Sequence, residues 1–481
     1  MRILEITFLL SVIAFFISVF LKNSSIKKWI LYSATLFLVL HLLIEESRWQ
    51  MYLGYVSFVI GVLFYVRPRI NRWIRGIGSG FGMLLSIVAF VLGVVMPVIE
   101  FPKPTGDYTV GVDTLYFEDQ SRPELITEVN DDKRKLTVHI WYPSSKKITK
   151  PERYLDDGYA EVFAQSKGMP TFMASHFNLT KTHTQRLLPI IKNKRLPVVV
   201  LSHGLTWSAK MYTTLVEEMV SKGYMVVGID HMYESFLTEY EGERIRWSEE
   251  NIRKMNEGID FKFVNETNEL FKQEKDTTRK YELLSKVIHH LPYFESLDRW
   301  SNDISFVLDQ IERLNNNPDS VFFQKFDVDN IGLMGHSWGG AAVVQNAAVD
   351  SRVKGVINLD GAQWGRAIDT TLKVPLLVMH ADRNYKEFFT PNFYIYDRIT
   401  REDYYLATIA SSAHTNFGDL SYWTKINALT ETGTIAPKRM SNVTNQLVLA
   451  FFDKHLQNKS IAFAKEFSSE QYPEIEMIKK K

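Results

Sequence analysis

Four apolar stretches crowd the N-terminal end of the chain, roughly Ile3–Leu21, Trp29–Ile44, Met51–Val66 and Ile77–Ile99. A helix needs about 20 apolar residues to cross a hydrocarbon layer about 30 Å thick. The first and fourth stretches meet that length, and the other two fall near its lower limit. Very short charged links join them, which leaves little room for the polar surface that a soluble fold would need. Residues 1–100 are therefore expected to form an anchor of four transmembrane helices in the bilayer. The first stretch is expected to stay attached, because Phe15, Phe16, Phe20 and Leu21 are bulky where a leader-cleavage site wants small residues.

Basic residues in short links favour the cytoplasmic side. The first link carries Lys22, Lys27 and Lys28, and the third carries Arg67, Arg69, Arg72 and Arg75. The second holds Arg48 beside Glu45 and Glu46. This pattern predicts a multi-pass protein of the cell membrane, with everything after Ile99 outside the cytoplasm.

The whole-chain charge excludes some partners. Lys plus Arg total 56 and Asp plus Glu total 55 among 481 residues, so no net field draws nucleic acid. There is no cysteine, which removes disulfides, thiol nucleophiles and thiolate metal sites.

From Phe101 the pattern turns mixed. Pro102, Pro104 and Gly106 mark a linker over 101–107. Tyr108–Phe117 and Lys135–Trp141 read as antiparallel strands, the second with Leu136, Val138 and Ile140 alternating. Short Val-, Ile- and Leu-rich runs follow at Leu196–Leu201, Tyr224–Ile229, Ile331–Met334, Val353–Leu359, Val374–Met379 and Tyr404–Ile409. Such runs suit parallel strands buried on both faces. Between them lie helical patterns, such as Met211, Leu215, Val216, Met219 and Val220, or Ile304, Val307, Leu308, Ile311 and Leu314. Alternating strands and helices imply an α/β fold with a mostly parallel sheet and helices on both faces, over 108–460. Residues 233–300 interrupt that rhythm with polar helical sequence and no strand signal, as a helical lid or a peripheral decoration would. Residues 461–481 read as a C-terminal tail ending in Lys479, Lys480 and Lys481.

One segment carries chemistry. Ile331–Met334 leads into Gly335-His-Ser337-Trp-Gly339-Gly340, and Ala341–Val344 continue as a helix. A G-x-S-x-G between a buried strand and a helix is the nucleophile turn of the α/β-hydrolase fold. The serine sits on a strained bend, so the residues two positions to either side must be tiny, as Gly335 and Gly339 are. Ser337 is the expected nucleophile. A serine hydroxyl needs a base, and the base needs an orienting acid. In this fold the order is serine, acid, histidine, so the base follows Ser337. Of His380, His414 and His455, only His414 stands in a loop after a late strand, in Ser411-Ser-Ala-His414-Thr-Asn416. His380 ends a strand, where a core role is expected, and His455 reads as a helix-terminal cation. The acid is Asp360 or Asp382, each at the carboxyl end of a strand, and spacing alone does not separate them. The other would cap a loop or pair with Arg383.

An oxyanion site needs two backbone amides. Trp338 supplies one, and the loop Leu201-Ser-His203-Gly204-Leu205 supplies the other, with Leu205 the choice. His203 is expected to structure that loop. Adjacent His289 and His290 cannot share one metal from a single helix face and read as surface residues. No metal-ligand spacing or phosphate-cradling glycine loop occurs elsewhere, so no cofactor or metal is expected.

Taken together, LSHGL at Leu201–Leu205, GHSWGG at Gly335–Gly340, LDGAQWG at Leu359–Gly365 and AHTNFGD at Ala413–Asp419 resemble the plasma-type platelet-activating factor acetylhydrolases and their bacterial relatives. The likeness runs from about Tyr108 to Leu456 and includes Ile140–Pro143. It implies Asp360 as the acid, with Leu205 and Trp338 as the oxyanion amides. That family often has phenylalanine where Trp338 stands, which leaves the amide unchanged.

The expected activity is hydrolysis of a carboxylic ester with a short acyl chain or lipid-like character. An acyltransferase using the same three residues is the alternative, and a non-catalytic membrane protein retaining the fold is a third reading. Orientation has a direct test. A reporter active only outside the cytoplasm, fused after Pro104, is expected to be active; activity confined to a cytoplasm-requiring reporter would reverse the assignment.

Overall fold

The N-terminal apolar stretches fold into helices α1 (Ile3–Ser18), α2 (Ser24–Leu40), α3 (Tyr52–Val66) and α4 (Arg72–Val95). The structure, a computed structural model, describes all residues except 22–23, 68, 130, 156, 193, 383–392, 468–469 and 480–481. Lys22, Arg383, Lys480 and Lys481 thus lie outside the described residues. The chain divides into two compact units. The first contains Met1–Glu100 together with Arg153–Lys181 and Tyr422–Thr430; the second contains the remainder.

Among the described residues of the first unit, three helical segments are long and apolar enough to cross a membrane: Ser25–Glu45, Trp49–Val66 and Arg72–Val95. This corrects the expectation of four. Helix α1 has 16 residues, about 24 Å at the usual rise, short of the hydrocarbon thickness. It stops because the Ser18 hydroxyl donates to the Phe15 carbonyl (2.7 Å), and the amides of Phe20 and Leu21 turn back onto Ile17 and Ser18. The two stretches judged short gain length instead. A π-helical turn over His41–Glu45 extends α2, and a 3-10 turn over Trp49–Met51 precedes α3. A core of Phe8, Leu9, Val12, Phe15 and Phe16 from α1 packs with Leu31, Ala34, Met51 and Ala89.

The buried charged side chains Glu5 and Arg48 of this unit are paired, as burial demands. Arg48 forks Glu5 with two contacts of 2.6 Å and donates to the Met96 carbonyl at 2.8 Å. Arg2 also holds Glu5, at 2.7 Å. Glu5, His41 and Glu45 bring ligand-type atoms within 4.8 Å of one another. Two guanidinium groups already neutralise Glu5 there, so the cluster reads as an ionic clasp. The unit is completed by α5 (Asp157–Ser166) and by a helical turn at Asn427–Thr430.

In the second unit the chain builds β1 (Thr109–Pro123), β2 (Lys133–Ser144), β3 (Thr184–Arg186), β4 (Leu196–Ser202), α6 (Thr213–Ser221) and β5 (Met225–His231). A hairpin of β6 (Leu237–Tyr240) and β7 (Glu243–Arg246) follows. Then come α7 (Glu249–Asn256), α8 (Phe261–Gln273), α9 (Thr277–His290) and α10 (Phe294–Asn316). The last part is β8 (Phe326–His336), α11 (Trp338–Ala347), β9 (Val353–Leu359), β10 (Leu376–Ala381), α12 (Phe393–Ile399), β11 (Tyr404–Ile409), α13 (Pro437–Leu456) and β12 (Ile475–Lys479).

Ten strands join in the order β12-β11-β10-β9-β8-β4-β5-β2-β1-β3. The run from β5 to β11 is parallel, and β2 and β12 add antiparallel neighbours. Strands β4 and β5 are buried over their full length, which is why their sequences are apolar without alternation. Every strand expected from sequence is present. The 461–481 tail, however, supplies β12, paired with β11 from Ile475 to Lys479. Residues 233–300 contain the β6–β7 hairpin, which no sequence signal announced. Three of their helices start at side-chain caps. Ser248, Asp260 and Asp276 accept the amides of Asn251, Phe263 and Arg279, each cap contributing about 1 kcal/mol.

A buried ionic network ties β2 to α10. Arg134, 1% exposed, donates to Asp303 (2.7 Å) and Glu124 (3.0 Å). Burial pushes the Asp303 carboxyl up, but Arg134 and the His231 hydrogen bond outweigh it and hold the group well below the usual carboxylate range. Arg134→Leu should lower unfolding free energy by about 3–5 kcal/mol, since it strands buried carboxylates. Urea unfolding would show this; an unchanged midpoint would deny the network a stabilising role.

Candidate active site

Ser337 lies on the bend between β8 and α11 with φ 54° and ψ −118°. A non-glycine residue there costs about 1–3 kcal/mol, which surrounding structure must supply. The supports are backbone. The Ser337 amide donates to the Leu359 carbonyl of β9 at 3.0 Å. A Cβ on Gly339 would sit 2.3 Å from the Ser202 carbonyl oxygen, and one on Gly335 would sit 2.2 Å from that of Gly339. Both positions therefore exclude any side chain. Trp338 is the first residue of α11, so its amide has no intrahelical acceptor and lies at the positive end of the helix.

His414 arrives on the loop after β11. Its Nε2 is 2.9 Å from Ser337 Oγ and its Nδ1 is 2.6 Å from Asp360 Oδ2. Asp360 follows β9, also with positive φ (55°), and its other oxygen accepts the Ala381 amide at 3.0 Å. That fixed carboxylate makes Nδ1 the protonated nitrogen and leaves Nε2 free to accept the serine proton. Ser337 and His414 are half-buried while Asp360 is buried, so the first two can meet a solute. Asp382 lies elsewhere in its hydrogen bonding. Its Oδ2 accepts the Ser411 amide at 2.7 Å and so caps the loop that leads to His414.

The remaining histidines separate cleanly. His203 is buried between the Gly204 carbonyl and Ser235 Oγ, each 2.7 Å away, and structures its loop as expected. Burial, then nearby His231, pushes it down to about 4, leaving it neutral. His380 is buried with Nδ1 3.8 Å from Asp360 Oδ1. His289 and His290 are exposed, as expected. His455 is not the cation anticipated. Burial, then Lys454, pushes it down to about 4, and its ring packs on Phe451 at 4.7 Å.

A second Ser-His-Asp alignment exists. Ser202 Oγ is 2.9 Å from His231 Nε2, and His231 Nδ1 is 2.9 Å from Asp303 Oδ2. All three residues are fully buried, and Asp303 is also held by Arg134, so no substrate can reach that serine. The alignment instead anchors the end of β4, where the Gly204–Leu205 loop begins. That loop passes close to the nucleophile, since a Cβ on Gly204 would lie 3.3 Å from Ser337 Cβ.

Sequence reasoning missed the groups that hold Trp338. Its indole donates to Ser296 Oγ (3.2 Å), which donates to buried Glu234 (3.0 Å), and the Tyr293 ring packs edge-on at 5.1 Å. These residues lie some 40 to 100 positions away in sequence, and no local pattern links them. His336 and Tyr212 were missed as well, although His336 stands inside the motif itself.

The family model for "Platelet-activating factor acetylhydrolase, isoform II" matches residues 94–470. A platelet-activating factor acetylhydrolase of Canis lupus familiaris is 24% identical over 391 residues, spanning 74% of this chain and 77% of that protein. The Bos taurus protein of the same name is 23% identical over 379 residues, with the same coverage. Among solved structures, a ferulic acid esterase from Streptomyces cinnamoneus matches with a TM-score of 0.61 at 23% identity, covering 79% of this chain and all of that one. That likeness supports the α/β-hydrolase fold for the second unit. The two aspartates make a paired test. Asp360→Asn is expected to lower ester turnover by about four orders of magnitude, and Asp382→Asn by about tenfold or less, in side-by-side kinetics. The opposite ranking would reassign the acid.

Proposed function

Because the chain belongs to the platelet-activating factor acetylhydrolase isoform II family, we propose that it is a membrane-anchored serine hydrolase of short-chain or phospholipid-like carboxylic esters. The observation that carries this reading is the unbroken hydrogen-bonded line from Ser337 Oγ through His414 to Asp360. Ser337 Oγ attacks the ester carbonyl while His414 Nε2 takes its proton. Asp360 holds the opposite nitrogen and stabilises the imidazolium that forms. The amides of Leu205 and Trp338 donate to the developing oxyanion, a contribution worth about 3–4 kcal/mol per donor in comparable sites. His414 then gives the proton to the leaving alcohol. Water, deprotonated by His414, attacks the acyl-serine, and collapse of that intermediate releases the acid and restores Ser337.

The substrate class rests on the family and on the anchor. Three apolar helices suited to spanning tether the enzyme at a bilayer, where amphiphilic esters concentrate. The link charges favour an orientation with the second unit outside the cytoplasm. Residues 233–300 act as a cap: Tyr293 and Ser296, at the end of that insertion, touch Trp338 beside the nucleophile.

Ser337→Ala should cut turnover of a p-nitrophenyl ester by about four orders of magnitude or more and abolish fluorophosphonate labelling. Full activity in that variant would remove the proposal. A chain-length series on the detergent-purified protein should favour acetyl over long acyl esters.

A further inference from the structure

Two buried residues with no step in the reaction above lie on one hydrogen-bonded line. The Gly204 amide donates to Tyr212 Oη at 3.1 Å, and that oxygen is 2.8 Å from His336 Nδ1. His336 Nε2 is 3.0 Å from the backbone carbonyl oxygen of His414. A carbonyl can only accept, so Nε2 carries the proton and Nδ1 is left to accept from the tyrosine hydroxyl. The line therefore begins in the loop that carries Leu205, crosses the residue just before Ser337, and ends on the backbone of His414. Both side chains are fully buried, where losing one partner exposes the next to a desolvation penalty.

Packing follows the same path. The Trp207 ring lies 5.7 Å from that of Tyr212 and 4.8 Å from that of His336. A Cβ on Gly418 would come within 2.4 Å of Trp207, so the loop after His414 presses directly on this indole. Asp419 in that loop accepts the amides of Thr213 (2.6 Å) and Thr214 (3.2 Å), immediately after Tyr212. The His336 and His414 rings are 4.6 Å apart.

We infer that Tyr212 and His336 are positioning residues, a buried strut that keeps the oxyanion loop, the nucleophile bend and the base loop in one register. They touch no substrate and act through Gly204, Ser337 and His414. The strut rests on the proposed esterase reading and extends it. Its three anchor points belong to loops from separate strands, and a displacement of about 1 Å at a reacting group costs on the order of a hundredfold in rate.

The test measures kcat and KM with p-nitrophenyl acetate on the full chain, per serine titrated to completion with a fluorophosphonate, alongside the melting temperature. Tyr212→Phe is expected to lower kcat per titrated serine about 10- to 100-fold, with KM changed less than about threefold. His336→Gln keeps an acceptor and a donor and should stay within about fivefold of wild type; His336→Leu should fall about a hundredfold. Wild-type turnover per titrated serine in Tyr212→Phe, whatever its melting temperature, would overturn the strut. So would equal kcat values for His336→Gln and His336→Leu, which keeps the question answerable if Tyr212→Phe does not accumulate. Failure of the esterase reading itself would show separately, as undiminished activity in Ser337→Ala.

Discussion

The candidate site depends on one close backbone approach. Where β8 turns into α11, the chain passes so near the Ser202 and His203 carbonyls that Gly339 admits no Cβ. That approach lifts the Ser337 hydroxyl to the carboxyl edge of the sheet, at the N-terminus of α11. The bend is strained, and its strain is offset by neighbours that are strained or crowded too. Asp360 also adopts positive φ, and a Cβ on Gly361 would meet the Ser337 carbonyl oxygen at 2.4 Å. Conformational costs of this kind persist only where packing over-determines them, and the buried parallel strands β4, β8 and β9 provide that packing.

Two Ser-His-Asp lines in one unit share nearly the same hydrogen-bond geometry. Ser202, His231 and Asp303 match the donor order of Ser337, His414 and Asp360 within a few tenths of an ångström. What differs is surroundings. Asp303 shares its charge with Arg134 inside the core, whereas Asp360 accepts the Ala381 amide and faces the His414 imidazole. Ser202 lies in regular strand and is sealed; Ser337 lies on a bend and is reachable. The same polar motif serves as a brace in one place and as candidate machinery in the other.

The first unit obeys a different constraint. Its helices are apolar along most of their length, so the few buried charged side chains must find partners within it. Glu5 pairs with Arg48 and Arg2, and Arg48 also donates to the carbonyls of Gly93 and Met96. The clasp joins α1 to the end of α4 and gives the short first helix a role despite its length.

How much was legible beforehand follows from the range of each interaction. Strands such as Leu196–Ser202 and the helix that carries Ile304, Val307, Leu308 and Ile311 were readable because burial pattern is local. Ser337 and His414 were readable because the bend demands glycines at fixed spacing and chain order restricts the base. Helix ends in the apolar region were not, since Ser18 and the turn at His41 act through backbone bonds that hydropathy does not register. The hairpin at Leu237–Arg246 and the edge strand at Ile475–Lys479 carry weak periodicity and form because partners are available. The amino-acid order by itself determined the fold class, the apolar N-terminal helices and the residue types able to react. Only the tertiary structure decided which aspartate faces His414, that Asp382 caps a loop instead, and that Tyr212 and His336 meet. Those choices turn on side chains brought together from distant strands, and nothing local in the sequence encodes such distances.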